Sequence, residues 1–230
     1  MKPSLAGRIM RTIVASRGAI VTPLSRGWQR ERQLIADTRQ KTELLLTDPA
    51  ALHVLACARA ARDMPGAFAE AGVFRGGSAR LICEQKGDAP LHLFDVFELL
   101  QENHLSGAEQ VQDHFGRIHG KLGDVRRLLS SFSNVRFHPG LFPQTVTGLD
   151  ALRFSFVHLD LDLPEPTEAA LEYFHPRMLP GGILIADDYA DPALRACFAS
   201  WFASKPDTLI EMPWAQLMIV TQGSGSNSPQ

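Results

Sequence analysis

Short apolar runs alternate with stretches of helical period through most of this chain. Ala67–Ala71, Leu91–Phe94, Val135–His138, a run from Phe154 to Asp160, and Gly182–Ala186 read as strands. The last two are apolar almost throughout, as expected for strands buried on both faces. Between the strands the spacing predicts helices from Gly76 to about Gln85, near Val125–Phe132, at Pro166–Phe174 and at Pro192–Phe202. Upstream, Leu34, Ile35, Thr38, Thr42 and Leu45 predict a helix from Trp28 to about Leu46. Asp48-Pro49 reads as an N-cap followed by proline at the first position of a helix running to Ala61. Strand–helix alternation predicts a doubly wound α/β fold with a mostly parallel sheet. Thr208–Ile210 and Leu217–Val220 are joined by a short turn region, which predicts a C-terminal antiparallel pair. Val96–Gly107 reads as a loop over the sheet edge, Ala108–Phe115 as a further helical segment, and a short helix should precede Asp150. Pro180-Gly181-Gly182 reads as a turn into the fifth strand.

Two strand ends carry the candidate chemistry. The first runs Val157-His158-Leu159-Asp160-Leu161-Asp162, and the second closes on Asp187-Asp188. In a parallel α/β sheet that edge is where ligands bind. Clustered carboxylates repel one another unless something positive sits between them, and an all-oxygen set suits magnesium, calcium or manganese. Asp160 and Asp162 would share one face if extended geometry continued. His158 is either packed in its strand or a support for the ligands. At the first strand–helix junction, Glu70-Ala71-Gly72-Val73-Phe74-Arg75-Gly76-Gly77-Ser78, Gly72 would admit a ligand close to the backbone. This is not G-x-G-x-x-G, which counts against a dinucleotide. Asp95 ends the second strand 23 residues beyond Gly72, a position from which acidic residues accept ribose hydroxyls. Junction and aspartate together indicate a nucleoside-containing cofactor.

Composition adds limits. A net charge of −2 supplies no bulk attraction for nucleic acid. Three dispersed cysteines fit a reducing compartment, and no apolar run reaches transmembrane length, so a cytoplasmic location is expected. Charge is uneven, however. Lys2, Arg8, Arg11, Arg17, Arg26, Arg30 and Arg32 face only Glu31 in the first 32 residues. This basic arm suits a solvated or subunit-packing segment, or a contact with an anionic surface.

From Asp63 to about Val220 the chain resembles the TylF-type (macrocin O-methyltransferase) family of S-adenosylmethionine-dependent methyltransferases. The resemblance rests on the passages 68–78, Phe94-Asp-Val-Phe-Glu98, 156–162, and Pro180-Gly-Gly-Ile-Leu-Ile-Ala-Asp-Asp-Tyr189, with Gly140–Thr145 in support. It implies a class I methyltransferase (Rossmann-like) fold with seven strands, and magnesium- or manganese-dependent O-methylation of a small-molecule acceptor, a sugar or phenol of a glycosylated natural product. Glu70, Gly72, Ser78 and Asp95 would hold S-adenosylmethionine. Asp160, Asp187 and Asp188 would bind the metal, and Asp162 would be the base, with His158 as the alternative. Leu163-Pro164 replaces an aromatic usual in the family, and the loop Glu98–His104 lacks the usual glycine and proline. Expected domains are an N-terminal arm with helices over 1–62, covering the site or building a homo-oligomer, a methyltransferase domain over 63–222, and a disordered tail over 223–230. The competing readings are a nicotinamide-dependent oxidoreductase and a non-catalytic, cofactor-binding partner subunit.

Overall fold

The computed structural model describes residues 25–100 and 119–223. The arm before residue 25, the segment at Ala108–Phe115, and most of the loop and tail regions lie outside the described residues. Seven strands form one sheet: β1 (Ala67–Ala71), β2 (Leu91–Asp95), β3 (Val135–Pro139), β4 (Phe154–Leu159), β5 (Met178–Ala186), β6 (Thr208–Glu211) and β7 (Leu217–Val220). Their order is β3-β2-β1-β4-β5-β7-β6, and β7 alone runs antiparallel to its neighbours. The order reverses between β1 and β4. In open α/β sheets that switch point opens a crevice at the carboxyl ends of the strands.

Six α-helices are described: α1 (Gln29–Lys41), α2 (Asp48–Ala61), α3 (Gly77–Cys83), α4 (Leu122–Leu128), α5 (Pro164–Phe174) and α6 (Pro192–Phe202). On one face of the sheet, Ile35 of α1, Val54, Leu55 and Ala58 of α2, and Leu81 and Ile82 of α3 pack with Phe68 and Phe156. On the other, Leu171 and Phe174 of α5 and Phe198 of α6 pack with Phe154, Val157 and Leu159. Phe154 and Phe156 reach opposite faces because the β4 register shifts between them. The alanine-rich α2 buries Ala50, Ala51, Val54, Leu55, Cys57, Ala58 and Ala61, so its helix shares the core of the sheet. No helix among the described residues is long and apolar enough to cross a membrane.

Several boundaries differ from the sequence expectation. The first helix stops at Lys41, where Thr42 turns extended and its hydroxyl donates to the Arg75 carbonyl at 2.7 Å. Residues 42–47 therefore leave the helix. Thr47, not Asp48, caps α2, accepting from the Ala50 amide at 3.4 Å. The Pro180-Gly181-Gly182 turn is a bulge inside β5, since Met178 already pairs with Phe154 and the register resumes at Phe156–Ile183. The helix expected at Val125–Phe132 sits at Leu122–Leu128, and a 3-10 turn over Gln144–Val146 stands in for the short helix before Asp150.

Candidate active site

A cavity of about 390 Å³ opens at the switch point. That volume lies within the usual range for small-molecule sites. Its floor is the strand ends: Gly72 and Val73 after β1, Asp95 of β2, Asp160–Asp162 after β4, and Asp187-Asp188 after β5. Its walls come from the segment Glu43–Thr47, from Gly140–Phe142 after β3, and from Trp214 and Ala215 before β7.

Gly72 has φ +87°, and a β-carbon there would strike the backbone carbonyl of Asp160. The glycine is thus required first for close approach of the β1 and β4 ends. The space a β-carbon would take is filled by the chain itself, while the glycine still borders the cavity. The Asp160 amide reinforces the approach by donating to the Ala71 carbonyl at 2.9 Å. Asp95 shapes the next turn. Its Oδ2 accepts from the amides of Val73 (2.6 Å) and Phe74 (2.8 Å), and its Oδ1 from Phe97 (2.6 Å). Asp95 still borders the cavity, but three backbone donors already use much of its acceptor capacity. Ser78 also lines the cavity, whereas Glu70 is fully buried behind it.

The acidic cluster is assembled by backbone geometry. Carboxylate oxygens of Asp160, Asp162 and Asp188 lie within 4.8 Å of one another. Asp162 and Asp188 both occupy left-handed backbone, φ 58° and 54°. Aspartate tolerates that region better than most residues. The extended geometry expected beyond Asp160 therefore breaks, and it is the left-handed turns, not strand alternation, that aim these carboxylates together. Burial, then the charges of Asp187 and its neighbours, drives the Asp160 carboxyl well above its ordinary range. Burial and a hydrogen bond with Asp188 push Asp162 up to about 7. Crowded, half-desolvated carboxyls that resist ionisation fit a divalent cation.

His158 sits beneath this cluster. It is wholly buried and absent from the cavity wall. Nδ1 lies 2.8 Å from Glu70 Oε1, and Nε2 lies 2.7 Å from Asp187 Oδ2. Both ring nitrogens thus face carboxyl groups, and burial raises the Glu70 carboxyl above its ordinary value while its hydrogen bond with His158 acts against that. Burial alone would depress the His158 pKa, but the two carboxylates hold it well above 6.5. A ring nitrogen of His158 lies within 4.8 Å of oxygens of Asp160 and Asp187, but both nitrogens are taken up by hydrogen bonds and the ring does not border the cavity. Glu70, read from the resemblance as a cofactor contact, is its partner across the sheet, because β1 and β4 pair Glu70 with His158. The structure thus brings Gly72, Ser78, Asp95, Asp160, Asp162, Asp187 and Asp188 to one cavity and leaves Glu70 and His158 underneath.

Of the walls, the sequence places only a cover somewhere in residues 1–62. The spacing that includes Leu45 predicts a helix through Leu46, and nothing near Trp214 or Gln216 marks a site. Leu45 is 70% exposed, which a core-facing helical position would not be. A tryptophan in a turn immediately before a strand was the one available hint.

The parallel sheet with a single reversed strand, its helices on both faces and its acidic carboxyl edge define a class I methyltransferase-type fold. A model of the family described as Macrocin-O-methyltransferase (TylF) matches residues 30–218, and the chain belongs to that family. It is 36% identical over 149 residues to the 8-demethyl-8-(2,3-dimethoxy-alpha-L-rhamnosyl)-tetracenomycin-C 4'-O-methyltransferase of Streptomyces olivaceus, covering 59% of this chain and 57% of that protein. It is 31% identical over 153 residues to the mycinamicin III 3''-O-methyltransferase of Micromonospora griseorubida, covering 59% of this chain and 60% of that protein. The matches therefore span less than two thirds of these relatives. Among solved structures, the O-methyltransferase NovP superposes with TM-score 0.62 at 22% identity, over 74% of this chain and 78% of NovP. An O-methyltransferase from Bacillus cereus in complex with SAH superposes with TM-score 0.55 at 14% identity, over 93% and 99% of the two chains. These structural likenesses concern the fold.

Proposed function

We propose that the protein is an S-adenosylmethionine-dependent O-methyltransferase whose acceptor is a hydroxyl on a sugar of a glycosylated natural product. The observation that carries this is the convergence of the acidic cluster and the Gly72–Asp95 turn on one cavity. Family membership and the relatives' names support the reaction and the acceptor class. S-adenosylmethionine would lie along Gly72, Ser78 and Asp95 and supplies an activated methyl group. Asp160, Asp187 and Asp188 would hold Mg²⁺ or Mn²⁺, and an ion bound there supplies Lewis acidity toward a weakly acidic hydroxyl.

The chain's own residues have defined tasks in this reading. Asp162 takes the hydroxyl proton on its carboxylate, since it borders the cavity beside Asp188 and is not tied to backbone donors. Leu44–Leu46 and Phe142 exclude water from the transfer, and Trp214 and Ala215 close the side nearest Asp187 and Asp188. Methyl transfer needs in-line placement of donor and acceptor, so a rigid floor of strand ends supplies much of the acceleration. The reading includes residues 63–222 as the methyltransferase domain, with α1 and α2 packed into its core, a cytoplasmic location and self-association through the N-terminal region.

Calorimetric titration with S-adenosylhomocysteine, in magnesium and then in EDTA, tests the cofactor. Turnover of a rhamnosylated acceptor in the same two buffers tests the metal. Asp188→Asn should lower turnover at least about 10³-fold while S-adenosylhomocysteine still binds in EDTA. Full activity in EDTA would remove the metal from this reading, and failure to bind S-adenosylhomocysteine would remove the cofactor.

A further inference from the structure

Gln216 is fully buried beside the acidic cluster. The antiparallel register ends by pairing Ala186 with Leu217, which brings the next residues, Asp187 and Gln216, close together. Its Nε2 lies 3.1 Å from Asp187 Oδ2. Its Oε1 lies 2.9 Å from Trp214 Nε1 and 2.8 Å from His53 Nδ1.

The chemistry of the partners fixes the amide's orientation. An indole N–H can only donate. That constraint requires the oxygen of Gln216 toward Trp214 and so its NH₂ toward Asp187. His53 must then donate from Nδ1, and burial keeps its pKa below the ordinary value, so it does so as a neutral ring. The hydrogen bonds thus run in one direction, from Trp214 and His53 through Gln216 to Asp187. His158 donates to the same Oδ2 of Asp187. Among the described residues, both side-chain hydrogen bonds to the Asp187 carboxylate fall on Oδ2, and Asp187 borders the cavity.

We infer that Gln216, locked by Trp214 and His53, is a positioning residue that fixes the rotation of the Asp187 carboxylate, whose oxygen free of these bonds would then serve a cation held at the acidic cluster. This rests on the metal reading given above. It also ties a wall of the cavity to the metal end of the floor, because Trp214 faces the cavity while its N–H points inward to Gln216. Supports of this kind commonly alter metal affinity by 10–100-fold.

The test measures Mn²⁺ affinity from the electron paramagnetic resonance signal of free Mn²⁺, alongside S-adenosylhomocysteine affinity in EDTA and the melting midpoint. Gln216→Leu should weaken Mn²⁺ binding by about 10–100-fold and leave S-adenosylhomocysteine affinity within about two-fold. Trp214→Phe keeps a ring but removes the N–H, and should weaken Mn²⁺ by a smaller factor. Because Trp214 acts through Gln216, the double variant should bind Mn²⁺ no more weakly than Gln216→Leu alone. Unchanged Mn²⁺ affinity in Gln216→Leu would overturn the inference, as would parallel losses of Mn²⁺, S-adenosylhomocysteine and melting midpoint, which mark a merely structural role. Should Gln216→Leu not fold, Trp214→Phe decides alone: weaker Mn²⁺ binding with intact S-adenosylhomocysteine affinity supports the inference, and unchanged binding overturns it. A wild-type protein that binds no Mn²⁺ would defeat the metal reading itself and the inference with it, and the wild-type arm identifies that outcome separately.

Discussion

A single glycine joins the two halves of the site. At Gly72 the backbone is left-handed, and a side chain would run into the Asp160 carbonyl, so two independent costs fall on any replacement. Left-handed backbone alone costs a non-glycine residue about 1–2 kcal/mol. The clash is with backbone just past the end of β4, which cannot rotate away as a side chain could. Gly72→Ala should therefore lower stability by about 2 kcal/mol or more and separate the β1 end from Asp160. Both S-adenosylhomocysteine and Mn²⁺ affinities should fall together, in contrast to Asp188→Asn, where only the metal end is touched. Urea unfolding and parallel titrations check this, and an alanine variant of native stability would refute the close-approach account. The Glu70–His158–Asp187 chain belongs to the same scale. It runs from β1 through β4 to the strand end after β5 and so ties the metal end of the floor to the core of the sheet.

At the scale of elements, the turn after β1 depends on Asp95 more than on its glycines. The side chain binds the amides of Val73 and Phe74 on that turn and of Phe97 after β2, so it staples two strand ends together. Asp95→Ala leaves three donors to find water. Its effect should be about 10²-fold weaker S-adenosylhomocysteine binding, with faster hydrogen exchange at the Val73 and Phe74 amides, and Mn²⁺ affinity changed by less than about three-fold. Unaltered exchange at those amides would mean that the turn holds itself without the carboxylate. The elements themselves were legible where periodicity is strong: all seven strands lie on the apolar runs that mark them. The first helix was read through to Leu46 because Thr42 and Leu45 continue its spacing, yet Thr42 instead bonds to the Arg75 carbonyl across the fold. Likewise Pro180-Gly181-Gly182 has turn chemistry, but β5 absorbs it as a bulge because Met178 finds a partner in Phe154. In the site, the aspartates and Gly72 could be read because strand ends in this topology face ligands. His158 could be read as either packed or a support for the ligands, and it is both, but its pairing with Glu70 could not be read, since that depends on cross-strand register that no local pattern specifies.

For the whole molecule, a histidine pair at the β2–β3 contact links stability to pH. His92 is 1% exposed, and its Nδ1 lies 2.9 Å from His138 Nε2. Burial, then the neighbouring His138 and Arg136, lowers the His92 pKa from 6.5 to about 4. Burial and Arg136 lower His138 as well. Because the folded pKa is depressed, the unfolded chain binds more protons between pH 6.5 and 4. Stability from this source is therefore complete above about pH 6.5, falls as the pH drops toward 4, and changes little below that. For His92 the loss at pH 5 relative to pH 8 is about 2 kcal/mol. Carboxyls of the acidic cluster, held above their ordinary range, act in the opposite sense, so the histidine contribution is isolated by difference. His92→Phe removes the titrating ring and the buried Nε2, which has no hydrogen-bond partner, while keeping a flat side chain between Phe94 and Phe154. Compared with the wild type, that variant should lose about 2 kcal/mol less between pH 8 and pH 5 in urea unfolding. Equal losses in the two proteins would show that His92 takes up no excess proton on unfolding, and that acid sensitivity of this fold originates elsewhere in the sheet.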